Sequence, residues 1–191
     1  MRVSNSSSID FSVEADTTLI KMTLNKFEIS EAAFNRAANR AVNKTARWFR
    51  YHVLKEVSAN IGISQKILKE RFKLSLISPK SNKKYASFWS GLLGVDPIKI
   101  GKGRKTKKGY KVGKYSFDGV FKAYQAGRWE DWKTGVYERV SDNRLPIKRY
   151  FMPIEDRVKP IIERIYGRAQ AQIFKKLRQE LNYESIKSKG K

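Results

Sequence analysis

The segment from residue 118 to residue 154 constrains the fold more than any other part of this sequence. It reads DGVFKAYQAGRWEDWKTGVYERVSDNRLPIKRYFMPI, in which two runs rich in Val, Phe and Tyr lie on either side of Gly127. Branched and aromatic residues favour strands, whereas the Ala126-Gly127 and Asp142-Asn143 pairs favour turns. The segment therefore predicts an antiparallel hairpin.

A proline follows the predicted hairpin, in the sequence Arg144-Leu145-Pro146-Ile147. Proline fixes its own φ angle and biases the preceding residue, here Leu145, toward an extended conformation. We therefore predict a rigid structural corner at Pro146 and Ile147, which sets the direction in which the chain leaves the hairpin for the C-terminal helix.

Two long helices are predicted on either side of the strand-rich part of the chain. Ser30 is placed to cap the first, over residues 31 to about 57, where small and apolar side chains recur three and four positions apart. The second runs from Glu155 to about Leu181, with acidic residues in its first turn and basic residues in its last. Residues 185–191 are predicted to be a disordered basic tail.

Shorter elements complete the predicted fold. Alternating apolar and polar residues over 8–28 predict two short strands, and Ser64 is placed to cap a short helix that ends near Arg71. Further strands are predicted at 72–77, 86–95 and 98–100. The sequence thus predicts an α+β fold over residues 1–184, one domain in which an antiparallel sheet packs against the two long helices.

The chain is strongly basic. Its 41 Lys and Arg outnumber 18 Asp and Glu, which gives a formal charge of +23 and predicts DNA or an acidic protein surface as a neighbour. The densest charge is in residues 101–111, whose three glycines and lack of apolar periodicity predict a flexible loop or a hairpin tip. The residues predicted to contact DNA or an acidic partner there are Lys102, Arg104, Lys105, Lys107, Lys108 and Lys111.

A stripe of arginines on the first long helix is a second candidate contact. Arg36, Arg40, Arg47 and Arg50 recur at helical spacing, so one side of the helix carries them together. Such a stripe either contacts phosphate or carboxylate groups or is simply a solvated face, and the sequence leaves both interpretations open.

The residues needed for catalysis are scarce. Cysteine is absent and His52 is the single histidine, so we interpret His52 as a packing or surface residue and expect no nucleophilic catalysis. Asp118, Asp131 and Lys133 are a remote alternative, in which two carboxylates bind magnesium and a lysine stabilises charge, as in a nuclease. The same residues are explained more simply as surface groups beside basic neighbours. We predict no enzymatic activity, no cofactor and no metal.

The sequence also predicts a soluble chain. No run approaches the roughly 18 apolar residues that a membrane span needs. The N-terminus lacks the charged and then apolar layout of a signal peptide, so secretion by that route is not expected.

Several short motifs occur in a recognisable order. They are Gly119-Val-Phe121, Gly127-Arg-Trp129, Glu138-Arg-Val140, Arg144-Leu-Pro-Ile147 and Pro153 ahead of the last helix, with a looser likeness in 32–46 and 67–71. This order resembles the minor tail protein Z family of long-tailed bacteriophages, whose members are also called tail completion proteins. The chain departs from the family in the aromatic insert Glu130–Thr134 and in its polar N-terminal leader.

The resemblance implies a structural virion protein at the head-proximal end of a phage tail, in the neck. There it would complete the tail and support head–tail joining and genome-end positioning. The implied partners are further copies in a ring of six, a tail terminator or tail tube protein, a head–tail connector and genomic DNA in the channel. Assembly in the host cytoplasm, without a membrane, is expected. The competing hypothesis is a free nucleic-acid-binding protein, for which the positive charge is itself the functional feature.

Overall fold

The structure is a computed structural model that describes residues 6–12, 17–78, 85–125, 133–143 and 145–190. The elements, in chain order, are β1 (Ser6–Phe11), α1 (Thr17–Phe27), α2 (Glu31–Ile61), α3 (Gln65–Arg71), β2 (Phe72–Ser75), β3 (Ala86–Gly91), α4 (Pro97–Ile100), β4 (Gly103–Lys105), β5 (Gly109–Val112), β6 (Tyr115–Asp118), β7 (Val120–Gln125), β8 (Lys133–Arg139), β9 (Ile147–Arg149) and α5 (Glu155–Lys189).

Two long helices, α2 and α5, pack side by side and run antiparallel. They have 31 and 35 residues, and at a rise of about 1.5 Å per residue they are roughly 46 and 52 Å long. The Ser30 hydroxyl accepts a hydrogen bond from the Ala33 N–H at the start of α2, and Gly62, at φ 69°, ends it. The predicted α+β architecture, with one long helix in each half, is confirmed.

The main core lies between this helix pair and the strands. Phe49, Val53 and Val57 of α2 are fully buried, as is Ile165 of α5. The ring of Phe49 meets the ring of Phe88 on β3 edge to face, with centroids 5.0 Å apart. Such contacts join the helices to the strands in one apolar cluster, which is the packing that the apolar spacing of α2 predicts.

Within the described ranges, the strands form three antiparallel sheets of three strands each. Their orders are β1-β3-β2, β4-β5-β6 and β7-β8-β9. The hairpin predicted from 118–154 is present as β7 and β8, with Val120 opposite Glu138 and Gln125 opposite Lys133. Most of the insert Glu130–Thr134 lies outside the described residues, which resume at Lys133.

Two of the predicted strands are wrong. Residues 17–27 form α1 instead of a second strand, because Leu24 and Phe27 pack together against the end of the α2–α5 pair. Residues 97–100 form the short helix α4, in which the Asp96 carboxylate accepts the Ile98 N–H. Pro97 occupies the first turn of α4, where its missing N–H costs nothing.

The chain around the predicted corner leads into a third strand before it reaches α5. Pro146 is exposed, its carbonyl accepts the Val140 N–H, and half-buried Ile147 pairs with Arg139 as the first residue of β9. The corner therefore directs β9 onto the hairpin, and the turn toward α5 comes later, after the bridge between Val95 and Met152.

Both long helices extend beyond their predicted ends. α2 continues to Ile61, and α5 continues to Lys189 through residues 185–189, which were predicted to be disordered. The last turns of α5 contact the start of α2 and the residues just before it, because Glu184 is buried against Arg36 and Lys189 pairs with Glu28 at 2.8 Å.

Candidate functional site

The densest group of basic residues lies on an ordered hairpin formed by β4 and β5. Its turn is closed by the Thr106 N–H, which donates to the Gly109 carbonyl at 2.8 Å, and by the Gly109 N–H, which donates to the Thr106 hydroxyl at 3.1 Å. The Gly119 N–H donates to the Lys108 carbonyl at 2.9 Å and so attaches the tip to the end of β6. Of the two predicted forms, flexible loop and hairpin tip, the hairpin is the observed one.

Close packing explains two glycines in this hairpin. A Cβ at Gly103 would overlap the ring of Tyr110, and a Cβ at Gly109 would overlap the Phe117 carbonyl oxygen. Glycine is therefore needed at both positions, because it lets the neighbouring strand approach closely. The three glycines of this segment predicted a flexible loop or a hairpin tip, whereas two of them allow a tightly packed hairpin here.

The two faces of the hairpin differ in chemistry. Tyr110 and Val112 of β5 are buried on the inner face, where Tyr110 lies opposite Phe117 of β6. Arg104 and Lys111 are paired across β4 and β5 and share the outer face. The structure thus brings the six predicted basic residues together on one small element. Lys111 is half-buried, and the exposed residues are Lys102, Arg104, Lys105, Lys107 and Lys108.

Two members of the predicted arginine stripe are engaged within the chain. Arg40 donates from Nε to Glu180 at 2.6 Å and from Nη2 to Glu184 at 2.7 Å, and Arg36 donates to Glu184 at 3.0 Å. Lys44 also donates to Glu180. These groups form an ion-pair ladder, defined as Arg36, Arg40 and Lys44 of α2 with Glu180 and Glu184 of α5.

The rest of the stripe is divided between a structural contact and solvent. Arg50 donates to the Phe72 carbonyl at 2.9 Å and so joins α2 to the start of β2. Arg47 is exposed. We therefore assign Arg36, Arg40 and Arg50 structural roles, while a contact between the stripe and DNA or an acidic protein stays a prediction.

Both carboxylates of the ladder were missed by sequence reasoning, although a signal was present. Glu180 and Glu184 are four residues apart at the basic end of α5, which places them on one face of the helix. They are only 5% and 3% exposed. Buried carboxylates need cationic partners, and these come from a helix about 140 residues earlier in the chain.

The environment of the ladder lowers the pKa of both glutamates. Burial by itself raises the pKa of Glu180, but hydrogen bonds and charges from Lys44 and Arg40 outweigh burial and hold it below its ordinary value. Burial likewise raises the pKa of Glu184, and Arg40 and Arg36 together lower it further than burial raises it. Both side chains are therefore ionised at neutral pH.

The residues considered for catalysis lie on different elements wherever the structure describes them. Asp118 is exposed at the end of β6, Lys133 begins β8, and Asp131 lies outside the described residues. His52 packs its ring on Trp48 at 4.1 Å. Over the described ranges, no three His, Asp or Glu side chains form a group that could hold a metal ion. The helices described are each too short or too polar to cross a membrane.

The chain matches a known protein family over most of its length. A family model described as prophage minor tail protein Z (GPZ) matches residues 21–188. The matched range begins inside α1 and ends one residue before the end of α5, so it includes both long helices and the basic hairpin. No curated protein matches the chain, and no solved structure matches it. The family match confirms the resemblance predicted from the order of the motifs.

The ladder predicts an acid-sensitive contact between α2 and α5. A lowered folded pKa means that the stabilisation is complete above the ordinary glutamate value of 4.5 and is lost as pH falls through the folded pKa. The double variant Glu180→Gln/Glu184→Gln should therefore melt at a lower temperature than wild type near pH 7. This difference should shrink as pH falls below the ordinary value.

The control for this experiment is Glu163→Gln, which changes an exposed glutamate of the same helix. It should melt close to wild type throughout the same pH range. If the difference in melting temperature between wild type and the double variant stayed constant down to acid pH, the ladder would not be the source of that stability.

Two glycine substitutions should change stability in opposite directions. Gly109→Ala forces a methyl group into the Phe117 carbonyl, so it should lower the free energy of unfolding by on the order of 1 to 3 kcal/mol. Gly167→Ala lies on an exposed turn of α5, where an added Cβ meets none of the described atoms within 4 Å. It should raise the free energy of unfolding by about 1 kcal/mol. Chemical denaturation measures the free energy of unfolding of both variants. A shift in the same direction for both would contradict the packing described at one of the two glycines.

Proposed function

The chain belongs to the prophage minor tail protein Z family, and on that basis we propose that it is a structural virion protein at the head-proximal end of a bacteriophage tail. In this position it completes the tail, supports the joining of head and tail and helps position the genome end. The observation that carries the proposal is the family match over residues 21–188. Membership in a family of phage tail proteins also favours a structural role over an enzymatic one.

The proposed assembly is a ring. A tail is a stack of rings around one axis, so a head-to-tail contact that closes after six copies is the expected geometry. The neighbours along the axis are a tail terminator or tail tube protein on one side and a head–tail connector on the other. Assembly takes place in the host cytoplasm, and the mature location is the neck of the virion.

The chemistry of the basic hairpin favours DNA over an acidic protein as its partner. Protein interfaces are anchored by apolar and aromatic side chains at their centre. From residue 101 to residue 118, all of them described, Tyr110, Val112 and Phe117 are at most 8% exposed, and the half-buried Tyr115 donates its hydroxyl to the Ile61 carbonyl. The outer face offers mainly cations, which suffice to bind phosphates without reading the base sequence.

Removing the chain from a phage should impair tail assembly. We expect particles with defective tails, or filled heads that do not deliver DNA, because the neck would lack one of its components. Electron microscopy and plaque counts measure this, with the wild-type gene supplied on a plasmid as the control. Normal infectious particles without the chain would contradict the proposed function.

The salt dependence of DNA binding tests the hairpin directly. For a DNA partner, the logarithm of affinity should fall with the logarithm of salt concentration by roughly 0.9 per phosphate contact. Replacing Lys102, Arg104, Lys105, Lys107, Lys108 and Lys111 by Ser or Gln should flatten that slope and leave the melting temperature nearly unchanged. The matched control neutralises six exposed cations elsewhere, Lys55, Lys66, Lys69, Lys175, Arg178 and Lys187.

The outcomes of this experiment separate the hypotheses. An equal loss of slope in both variants would show that total charge, and not the hairpin, binds DNA. An unchanged slope together with failure to join heads and tails would identify the hairpin as a contact with protein. A free nucleic-acid-binding protein, the competing hypothesis, should bind DNA as an isolated monomer and leave particle assembly normal when deleted.

A further inference from the structure

One side of α5 has an apolar strip that α2 covers only in part, because Leu181 is buried beside Ala33 and Ala37 of α2 whereas Phe174 is exposed. The strip lies along two adjoining grooves, of about 350 and about 740 Å³, that share the side chain of Phe174. We call it the α5 strip and define it by Tyr166, Ile173, Phe174, Leu177 and Leu181.

The spacing and length of the α5 strip suit a groove that binds one side of a helix. Phe174, Leu177 and Leu181 recur three and four positions apart, and Ile173 lies seven positions, about two turns, after Tyr166. At about 1.5 Å per residue, the lined stretch from Tyr166 to Ser185 is roughly 28 Å long. Phe11 of β1 forms a wall at one end, and Met22 and Phe27 of α1 form a wall at the other.

Large apolar side chains at the strip are exposed to an unusual degree. Phe174 is 71% exposed and Met22 is 65% exposed, on opposite sides of the larger groove. Exposed apolar side chains at a groove with a polar rim offer anchor positions for one side of an amphipathic helix.

The charge at the larger groove specifies the chemistry of the occupant. Lys26 and Arg178 line it, and among its described lining residues none is acidic. An apolar floor with a basic rim fits an amphipathic helix whose flanking residues are acidic. A second copy of this chain fits this groove less well, because its 41 Lys and Arg outnumber its 18 Asp and Glu and it has few acidic side chains to place beside Lys26 and Arg178.

We propose that the α5 strip binds an amphipathic helix of another protein. Its apolar side chains fill the groove beside Phe174, and its acidic side chains face Lys26 and Arg178. This inference rests on the groove and its charges, so it does not depend on the proposed function or on the basic hairpin.

A designed peptide tests the proposal on the full-length chain. The probe is a labelled helical peptide with leucines spaced three and four apart and glutamates beside them, and the reference peptide has lysines in place of the glutamates. The glutamate peptide should bind more tightly. Phe174→Ser should weaken its binding by about tenfold or more, whereas Ile186→Ser, at a 73% exposed position of α5 outside the groove lining, should have little effect.

Charge reversal separates the groove from general attraction to a basic protein. Arg178→Glu should weaken the binding of the glutamate peptide and strengthen the binding of the lysine peptide. The control, Lys175→Glu, makes the same charge change at an exposed position outside the groove lining and should change the binding of both peptides less. Circular dichroism of each variant checks that the helices remain folded. Equal effects of the two reversals, or no preference between the peptides, would overturn the proposal.

Self-association is the remaining outcome. Analytical ultracentrifugation of the wild-type chain and of Phe174→Ser measures it without any peptide. If the wild type forms dimers or larger species that Phe174→Ser abolishes, the occupant is a second copy of the chain, and the proposal of a different protein partner is overturned.

Discussion

The antiparallel packing of α2 on α5 is the contact on which the other elements depend. Ala37, Ala41 and Ala46 of α2 and Ala169 of α5 are fully buried, and such small side chains let two helices approach closely. The strands then cover the apolar surface of the helix pair near the C-terminal end of α2 and the N-terminal end of α5. The contact between Phe49 and Phe88 illustrates this packing. The sheet β1-β3-β2 packs directly on α2, and the other two sheets join the same apolar cluster through Val112 and Val136.

The helix pair is held together differently along its length. Near Phe49 and Ile165 it is buried under strands, but near Arg36 and Glu184 its supports are the ion-pair ladder and a small cluster with α1. Burying Glu180 and Glu184 is costly unless each is paired, so the ladder fixes which residues of α2 lie opposite α5. It therefore sets the register of the two helices at the end where apolar packing is thinnest.

The sequence predicted the long elements well and the short ones poorly. The repeats in α2 and α5 span many turns, so few alternatives fit them, whereas Leu19 to Phe27 fit both a strand and a helix until packing on α5 selects the helix. Helix ends were missed for a related reason, because the last turns of α5 depend on Arg36 and Arg40, which are far away in the sequence. The roles of Gly103 and Gly109 could not be predicted either, because each depends on close contact with atoms of the neighbouring strand.

The two candidate contact surfaces lie at opposite ends of the helix pair. The basic hairpin continues into β6, which is fixed to the C-terminal end of α2 because the Tyr115 hydroxyl donates to the Ile61 carbonyl at 2.8 Å and Lys114 donates to Asn60. The larger groove lies beside Leu181, near the N-terminal half of α2. Some 25 residues of helix separate these ends, which is roughly 37 Å. A separation of that length leaves room for the proposed polyanion and the proposed protein helix to bind one copy at the same time.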